Sequence, residues 1–276
     1  MLTTKKVSLG IIGSILILIF SQVSAELIET LLVLFKVPEF ISIAISGIIY
    51  IFLTYFLLKQ FVIKFFHRNL NDFGIGHFHV KWKWVIIGLL LPVVVTVIYL
   101  SIPGHFISTH KSTLETLAVI SRGIFFTGFG AGFVEEMVFR GIIMTLVKEK
   151  WGMMISIVIP SLLFGLVHII GMLFNLLSIL LVMLAGTMVG VMFSLIAYES
   201  KTVWNNALVH SLWNSVIISG IFTISTKVDP YNISHYLLRT KSFLITGGQF
   251  GIESSLIALL GYSLVAYYAY SELKRS

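Results

Sequence analysis

Two adjacent glutamates, Glu135 and Glu136, lie inside the apolar stretch "GFGAGFVEEMVFRGIIM", and Arg140 follows four residues after the second. On a helix Glu136 and Arg140 share one face, whereas Glu135 points about 100° away. Two neighbouring carboxylates in a low dielectric do not both ionise cheaply, so an arginine keeps one charged and leaves the other free to take up a proton. We therefore expect Glu136 to pair with Arg140, and Glu135 to act as a general base.

Imidazole and amide groups recur in two later apolar stretches. His168 ends the stretch "FGLVH", one turn after Phe164, and His210 precedes Asn214 by four residues in "NNALVHSLWN". His210 and Asn214 then share a helix face, and both can donate hydrogen bonds to a developing oxyanion. Each residue alone has a structural explanation, such as a hydrogen bond between helices. Together they are typical of a functional pocket inside a membrane.

The composition shows which kind of protein must position these groups. Of the 276 residues, 57% are hydrophobic and 11% are charged, and the mean hydropathy is +1.00. These values exclude a water-soluble domain and indicate a polytopic membrane protein. The net charge of +7 resides in short basic clusters between apolar stretches, which favours orientation in lipid over binding to nucleic acid. The sequence contains no cysteine, so disulfides and thiolate chemistry are excluded.

We predict an all-α protein of about eight transmembrane helices around an intramembrane polar cavity. A spanning helix needs about 20 mainly apolar residues, and the stretches that qualify are 7–24, 41–62, 84–103, 117–147, 153–173, 175–198, 203–222 and 252–270. Residues 1–276 then form a single integral membrane domain, in which residues 117–222 carry the glutamates, histidines and asparagine described above.

The distribution of Lys and Arg predicts the orientation of the helices. Twelve of these residues fall on the side of the two termini and five on the other, which predicts a cell-membrane protein with both termini in the cytoplasm. A competing interpretation of the first stretch is a signal peptide that is cleaved after Ala25.

Several hydrolytic chemistries are excluded by the residues that the sequence lacks. No H-E-x-x-H motif is present, the two aspartates Asp72 and Asp229 lie in predicted loops, and no serine occupies a G-x-S-x-G turn. The remaining hydrolytic chemistry is a water activated by glutamate, assisted by histidine and asparagine, with or without a metal.

Three motifs at these positions resemble those of the CAAX protease and bacteriocin-processing family (CPBP, or Abi), which includes the type II CAAX prenyl endopeptidases. They are E-E-x-x-x-R at Glu135, Glu136 and Arg140, F-x-x-x-H at Phe164 and His168, and H-x-x-x-N at His210 and Asn214. The resemblance covers about residues 117–222. It implies that Glu135 and His168 activate a water and that Glu136 with Arg140 holds the motif. It also implies that His210 and Asn214 form the oxyanion site.

The resemblance implies an intramembrane endopeptidase that acts on a peptide or protein near membrane lipid, in peptide maturation or bacteriocin immunity. Members of the family are often labelled metalloproteases, and Glu135, His168 and His210 could bind a zinc ion as two histidines and a carboxylate; no cofactor is certain. Two other classes stay open: a proton-coupled transporter, since buried Glu and His also relay protons, and a non-catalytic membrane scaffold. The sequence lacks the inverted repeat that is typical of many transporters.

Overall fold

The computed structural model describes residues 2–275, most of which are helical. The principal helices are α1 (Thr4–Leu34), α2 (Glu39–Phe61), α3 (Trp82–Leu100), α4 (Thr113–Ser121), α5 (Gly132–Glu136), α6 (Met144–Trp151), α7 (Met153–Val167), α8 (Leu176–Ser200), α9 (Trp204–Trp213), α10 (Phe243–Thr246) and α11 (Leu256–Arg275). Four π-helical segments extend or join them: Val62–Phe66, Arg122–Ala131, Met137–Ile143 and Asn214–Ile218. Single turns of 3₁₀-helix lie at Leu70–Phe73 and Ile252–Ser254.

Residues Thr113–Trp151 form one continuous helix of 39 residues, which we call the long helix. It comprises α4, α5 and α6 and the two π-helical segments between them. The carboxylates Glu135 and Glu136 end α5, so they lie on a short α-helical piece between two wider π turns.

Each of the eight predicted stretches coincides with a helix, in the same order, which confirms the predicted fold class. Six helices are long and apolar enough to cross a membrane: Thr4–Leu34, Glu39–Phe66, Trp82–Leu100, Thr113–Trp151, Leu176–Ser200 and Leu256–Arg275. The chain is therefore a multi-pass membrane protein.

Two of the predicted spans are shorter than expected. α7 has 15 residues and ends at Val167, so it is about 22 Å long against a hydrocarbon core of about 30 Å. Gly171, at a positive φ of 86°, lies in the turns that follow it. The helix of α9 and its π-helical extension ends at Ile218 rather than at 222. Both short helices carry predicted site residues.

A small sheet joins the loops at one end of the bundle. Its strands are β1 (Gly104–Ser108), β2 (Phe222–Ser225) and β3 (Ser234–Leu238), in the order β1-β3-β2. β3 pairs antiparallel with β1 and parallel with β2, so Tyr236 lies opposite Phe106 on one side and Ile224 on the other. No strand is predicted from the sequence in these regions, and Phe222 lies at the end of a predicted helical stretch.

The start of α1 and the end of α11 lie at the opposite end of the bundle, which we call the terminal end. Near the start of α1, the Lys6 amine lies 5.5 Å from the ring of Phe66 at the end of the second helix. At the start of α3, Lys83 Nζ lies 2.7 Å from a carboxylate oxygen of Glu272, near the end of α11. The successive helices therefore alternate in direction between the terminal end and the sheet.

Small residues bring the site-bearing helices together. In the long helix, a Cβ added at Gly132 would lie 2.8 Å from the backbone nitrogen of Ser211 on α9. On α8, a Cβ at Gly190 would lie 2.8 Å from the Cα of Ser161 on α7. Neither distance leaves room for a side chain, so these glycines set how closely the helix pairs approach.

Candidate active site

Glu136 lies at the centre of a buried polar cluster. Its side chain is 0% exposed, and its Oε1 accepts hydrogen bonds from Arg140 Nη1 at 2.8 Å and from His210 Nδ1 at 3.0 Å. Its Oε2 accepts a hydrogen bond from Asn206 Nδ2 at 2.5 Å. The contact with Arg140 is the one that helical spacing predicts. The bonds from His210 and Asn206 tie the long helix to α9.

Arg140 connects the long helix to two further helices. Its Nη2 donates to the carbonyl oxygen of Gly190 on α8 at 3.2 Å, and its guanidinium lies 4.5 Å from the ring centroid of Phe164 on α7 and 5.2 Å from that of Phe193 on α8. The arginine is 1% exposed. A guanidinium over an aromatic face gains electrostatic attraction in addition to its ion pair.

Glu135 differs from its neighbour in its surroundings. Its Oε2 is buried and has no hydrogen-bond partner in the described part of the chain. The nearest titratable nitrogen is Nε2 of His210, 4.0 Å away. The side chain is 22% exposed, whereas that of Glu136 is fully enclosed. Of two adjacent carboxylates, one is therefore fully bonded and the other is free to bind a water or a substrate.

The hydrogen bonds of the two histidines determine what each presents. His168 Nδ1 lies 2.7 Å from the carbonyl oxygen of Phe164, which can only accept, so Nδ1 carries the proton and Nε2 has the lone pair in the neutral ring. His210 Nδ1 likewise faces Glu136, which leaves its Nε2 toward Glu135. Both neutral rings therefore present an acceptor nitrogen rather than a donor.

Asn214 uses only part of its hydrogen-bonding capacity. Its Nδ2 donates to the carbonyl oxygen of Thr127 in the long helix at 3.1 Å. A side-chain amide has two N–H donors, so one remains for another acceptor. This bond also fixes the orientation of the amide.

One cavity of about 90 Å³ collects the predicted catalytic groups. Glu135, His168, His210 and Asn214 all line it, together with apolar side chains such as Phe164, Phe193, Val182, Trp213 and Phe250. A liquid water occupies about 30 Å³, so the cavity has room for a few waters. Glu136 and Arg140 lie behind this wall and do not line the cavity.

Sequence reasoning missed two polar residues of this region. Asn206 precedes His210 by four residues, so the spacing that links His210 to Asn214 would also have placed Asn206 on that face. Glu253 lines the cavity from the turn before α11. It lies at the edge of the last apolar stretch, where a glutamate carries no signal of its own.

A zinc ion would need several of these side chains arranged as ligands around one point. In residues 2–275, no group of three His, Asp or Glu side chains is arranged to hold a metal ion. Glu135, His168 and His210 share a cavity wall, yet they do not form such a group.

The segment that carries the three motifs is similar to a known protein family. Residues 118–216 match the family described as "Type II CAAX prenyl endopeptidase Rce1-like". This segment is therefore similar to Rce1-like CAAX protease domains, whereas the rest of the chain is not matched. It includes the seven motif residues and Asn206, and it excludes α1 to α3, the sheet and α11. The family supports endopeptidase activity in general. No curated protein and no solved structure is detectably similar to the chain.

Proposed function

We propose that the protein is an intramembrane endopeptidase that hydrolyses a peptide bond of a membrane-associated peptide or protein with a water activated by Glu135 and His168. The observation that carries this proposal is the contrast between the two glutamates. Glu136 accepts three hydrogen bonds, whereas Glu135 Oε2 has no partner and belongs to a side chain that lines a cavity with both histidines.

In the first step, a water in the cavity is deprotonated as it attacks. Glu135 Oε2 takes one proton of the water. His168 Nε2 accepts a hydrogen bond from the O–H that remains, which orients the water oxygen toward the substrate. A bond forms between this oxygen and the carbonyl carbon, and the carbonyl π electrons move to the carbonyl oxygen. Glu135 then returns the proton to the leaving nitrogen as the carbon–nitrogen bond breaks.

The oxyanion of this intermediate needs donors. Asn214 supplies its second N–H, since the first is held by Thr127. His210 donates from Nε2 only when the ring has taken up a proton from solvent before the attack, because its Nδ1–H is already directed at Glu136; it keeps this proton through the reaction. The buried carboxylate of Glu136 stabilises the resulting imidazolium. In this scheme Glu136, Arg140 and Asn206 are positioning residues.

The family similarity and the distribution of basic residues support a proposal for the membrane orientation and the location of the substrate. The basic residues cluster at the terminal end, so we place that end in the cytoplasm of a cell-membrane protein. Substrates would be peptides or proteins at the lipid surface, in maturation of secreted or signalling peptides or in self-immunity to bacteriocins.

The test is cleavage by full-length protein in lipid nanodiscs against a peptide library, read by mass spectrometry. Glu135→Ala and His168→Ala should each abolish cleavage. Glu149→Ala is the matched control, because this glutamate of the long helix pairs with Arg68 at the surface and does not line the cavity. Undiminished cleavage in either cavity variant would end the proposal. Peptidomics of cells with and without Glu135→Ala would then identify the substrate.

A further inference from the structure

A second carboxyl group faces the cavity, and it comes from outside the matched segment. Glu253 lies on the 3₁₀ turn Ile252–Ser254, before α11, and its side chain lines the cavity together with Glu135 and His168. Its carboxyl accepts no hydrogen bond from any side chain or backbone group in residues 2–275. Burial raises the pKa of Glu253 to about 8. Glu253 is half-buried, and an acid that is partly desolvated without a hydrogen-bond partner is costly, so such groups usually mark a function.

The backbone that carries Glu253 is held rigidly. Ser254 Oγ donates to the carbonyl oxygen of Gly247 at 2.7 Å, and Tyr262 Oη donates to the backbone carbonyl oxygen of Glu253 at 3.0 Å. Gly247 and Gly251 take positive φ angles of 76° and 103°, which close the tight turn before it. The side chain is therefore presented to the cavity by a preorganised turn.

The charges around the cavity are unbalanced. The titratable groups that line it are Glu135, Glu253, His168, His210 and Tyr262, and no described Lys or Arg side chain lines it. The nearby buried cation, the arginine of the E-E-x-x-x-R motif, is already bonded to the second glutamate of that motif. Apolar walls with two acids at their surface complement an aliphatic stem that ends in a positive charge.

Building on the proposed endopeptidase function, we propose that Glu253 selects the substrate: its carboxylate binds a lysine or arginine side chain of the peptide, close to the bond that the Glu135-activated water attacks. The same charges repel a free peptide carboxylate, so cleavage should occur within a chain rather than at its C-terminal residue. The matched domain then supplies the chemistry, and the segment before α11 supplies the selectivity.

Binding without turnover tests this proposal. At about pH 9 Glu253 is ionised and lysine keeps its charge. Under these conditions, full-length Glu135→Gln protein in nanodiscs would be titrated with fluorescent, lipid-anchored peptides in which one position, scanned along the peptide, is lysine, norleucine or glutamate. At one position the lysine peptide should bind about ten-fold more tightly than the norleucine peptide. Adding Glu253→Gln should remove this difference and change norleucine binding by less than about two-fold. Glu253→Lys should shift the preference to the glutamate peptide.

Any of three results would overturn the proposal. The lysine and norleucine peptides bind equally at every position, no peptide binds, or Glu253→Gln weakens binding of the lysine and norleucine peptides equally. Glu149→Gln is the surface control and should leave both affinities unchanged. The cleavage assay distinguishes failure of the proposed function from failure of this proposal. If the protein is not an endopeptidase, the wild type cleaves no peptide in the library, even where Glu253 gives lysine-selective binding. Conversely, cleavage without lysine selectivity would refute only the role of Glu253.

Discussion

Replacing Arg140 with methionine should destabilise the protein strongly. The substitution removes the 2.8 Å ion pair with Glu136, the 3.2 Å bond to the Gly190 carbonyl and the cation contact with the Phe164 ring. Glu136 stays buried with its charge uncompensated. Breaking a buried ion pair in this way costs about 3–5 kcal/mol. Because His210 and Asn206 still donate to Glu136, we expect a loss near the lower end, about 3 kcal/mol.

The assay is equilibrium unfolding in mixed micelles, arranged as a double-mutant cycle. Glu136→Gln with Arg140→Met removes both charges, so the double variant should lose less stability than the sum of the single variants, with a coupling of about 2 kcal/mol or more. Arg122→Met is the control, since Arg122 pairs with Glu29 but is 44% exposed, and its loss should cost about 0–1 kcal/mol. A loss below about 1 kcal/mol for Arg140→Met, or additive single effects, would refute the reasoning.

Three further outcomes are expected. Asn206→Ala should lower the free energy of unfolding by about 1–3 kcal/mol, because it leaves Glu136 Oε2 buried without its donor. If Asn206→Gln is as unstable as the alanine variant, the position of the amide is critical. Unchanged stability in Asn206→Ala would contradict the hydrogen bond. Gly132→Ala should push α9 away from the long helix, because its Cβ would lie 2.8 Å from the Ser211 nitrogen. We expect the free energy of unfolding to fall by about 1–3 kcal/mol and cleavage to slow. Wild-type values in both measurements would show that the two helices can move apart at no cost. Affinity for the lysine peptide should rise as pH increases through about 8, because the raised pKa keeps Glu253 neutral below that value and the lysine ammonium binds only the ionised form. The Glu253→Gln variant should lack this rise. If it shows the same pH profile as the protein with Glu253, the rise comes from other groups.

Much of the site was accessible from sequence because helical spacing is local. Residues four apart share a face, so the contact of Glu136 with Arg140 and the common face of His210 and Asn214 needed no tertiary information. The grouping of Glu135, His168 and the α9 residues on one cavity wall was a hypothesis, since spacing within a helix says nothing about which helices meet.

The remaining features depend on tertiary contacts. Apolar periodicity does not distinguish a 15-residue helix such as α7 from a full span when apolar loop residues follow it. Strands β1 and β3 pair residues more than a hundred positions apart, such as Phe106 with Tyr236. Glu253 enters the cavity only because the turn before α11 folds back over α8, which no local pattern records.

The two π-helical segments of the long helix constrain how its length can vary. A π turn closes its hydrogen bonds one residue later than an α turn, so each segment accommodates extra residues without a break. Deleting one residue from Arg122–Ala131 or Met137–Ile143 could restore ordinary winding there and leave the span intact. The residues beyond such a deletion would keep their directions, because the π turn had already absorbed the extra residue. A one-residue deletion in the short α-helical piece between the two segments would instead rotate the residues after it by about 100°. The π-helical segments are therefore the places where this helix can change in length without redirecting the carboxylates.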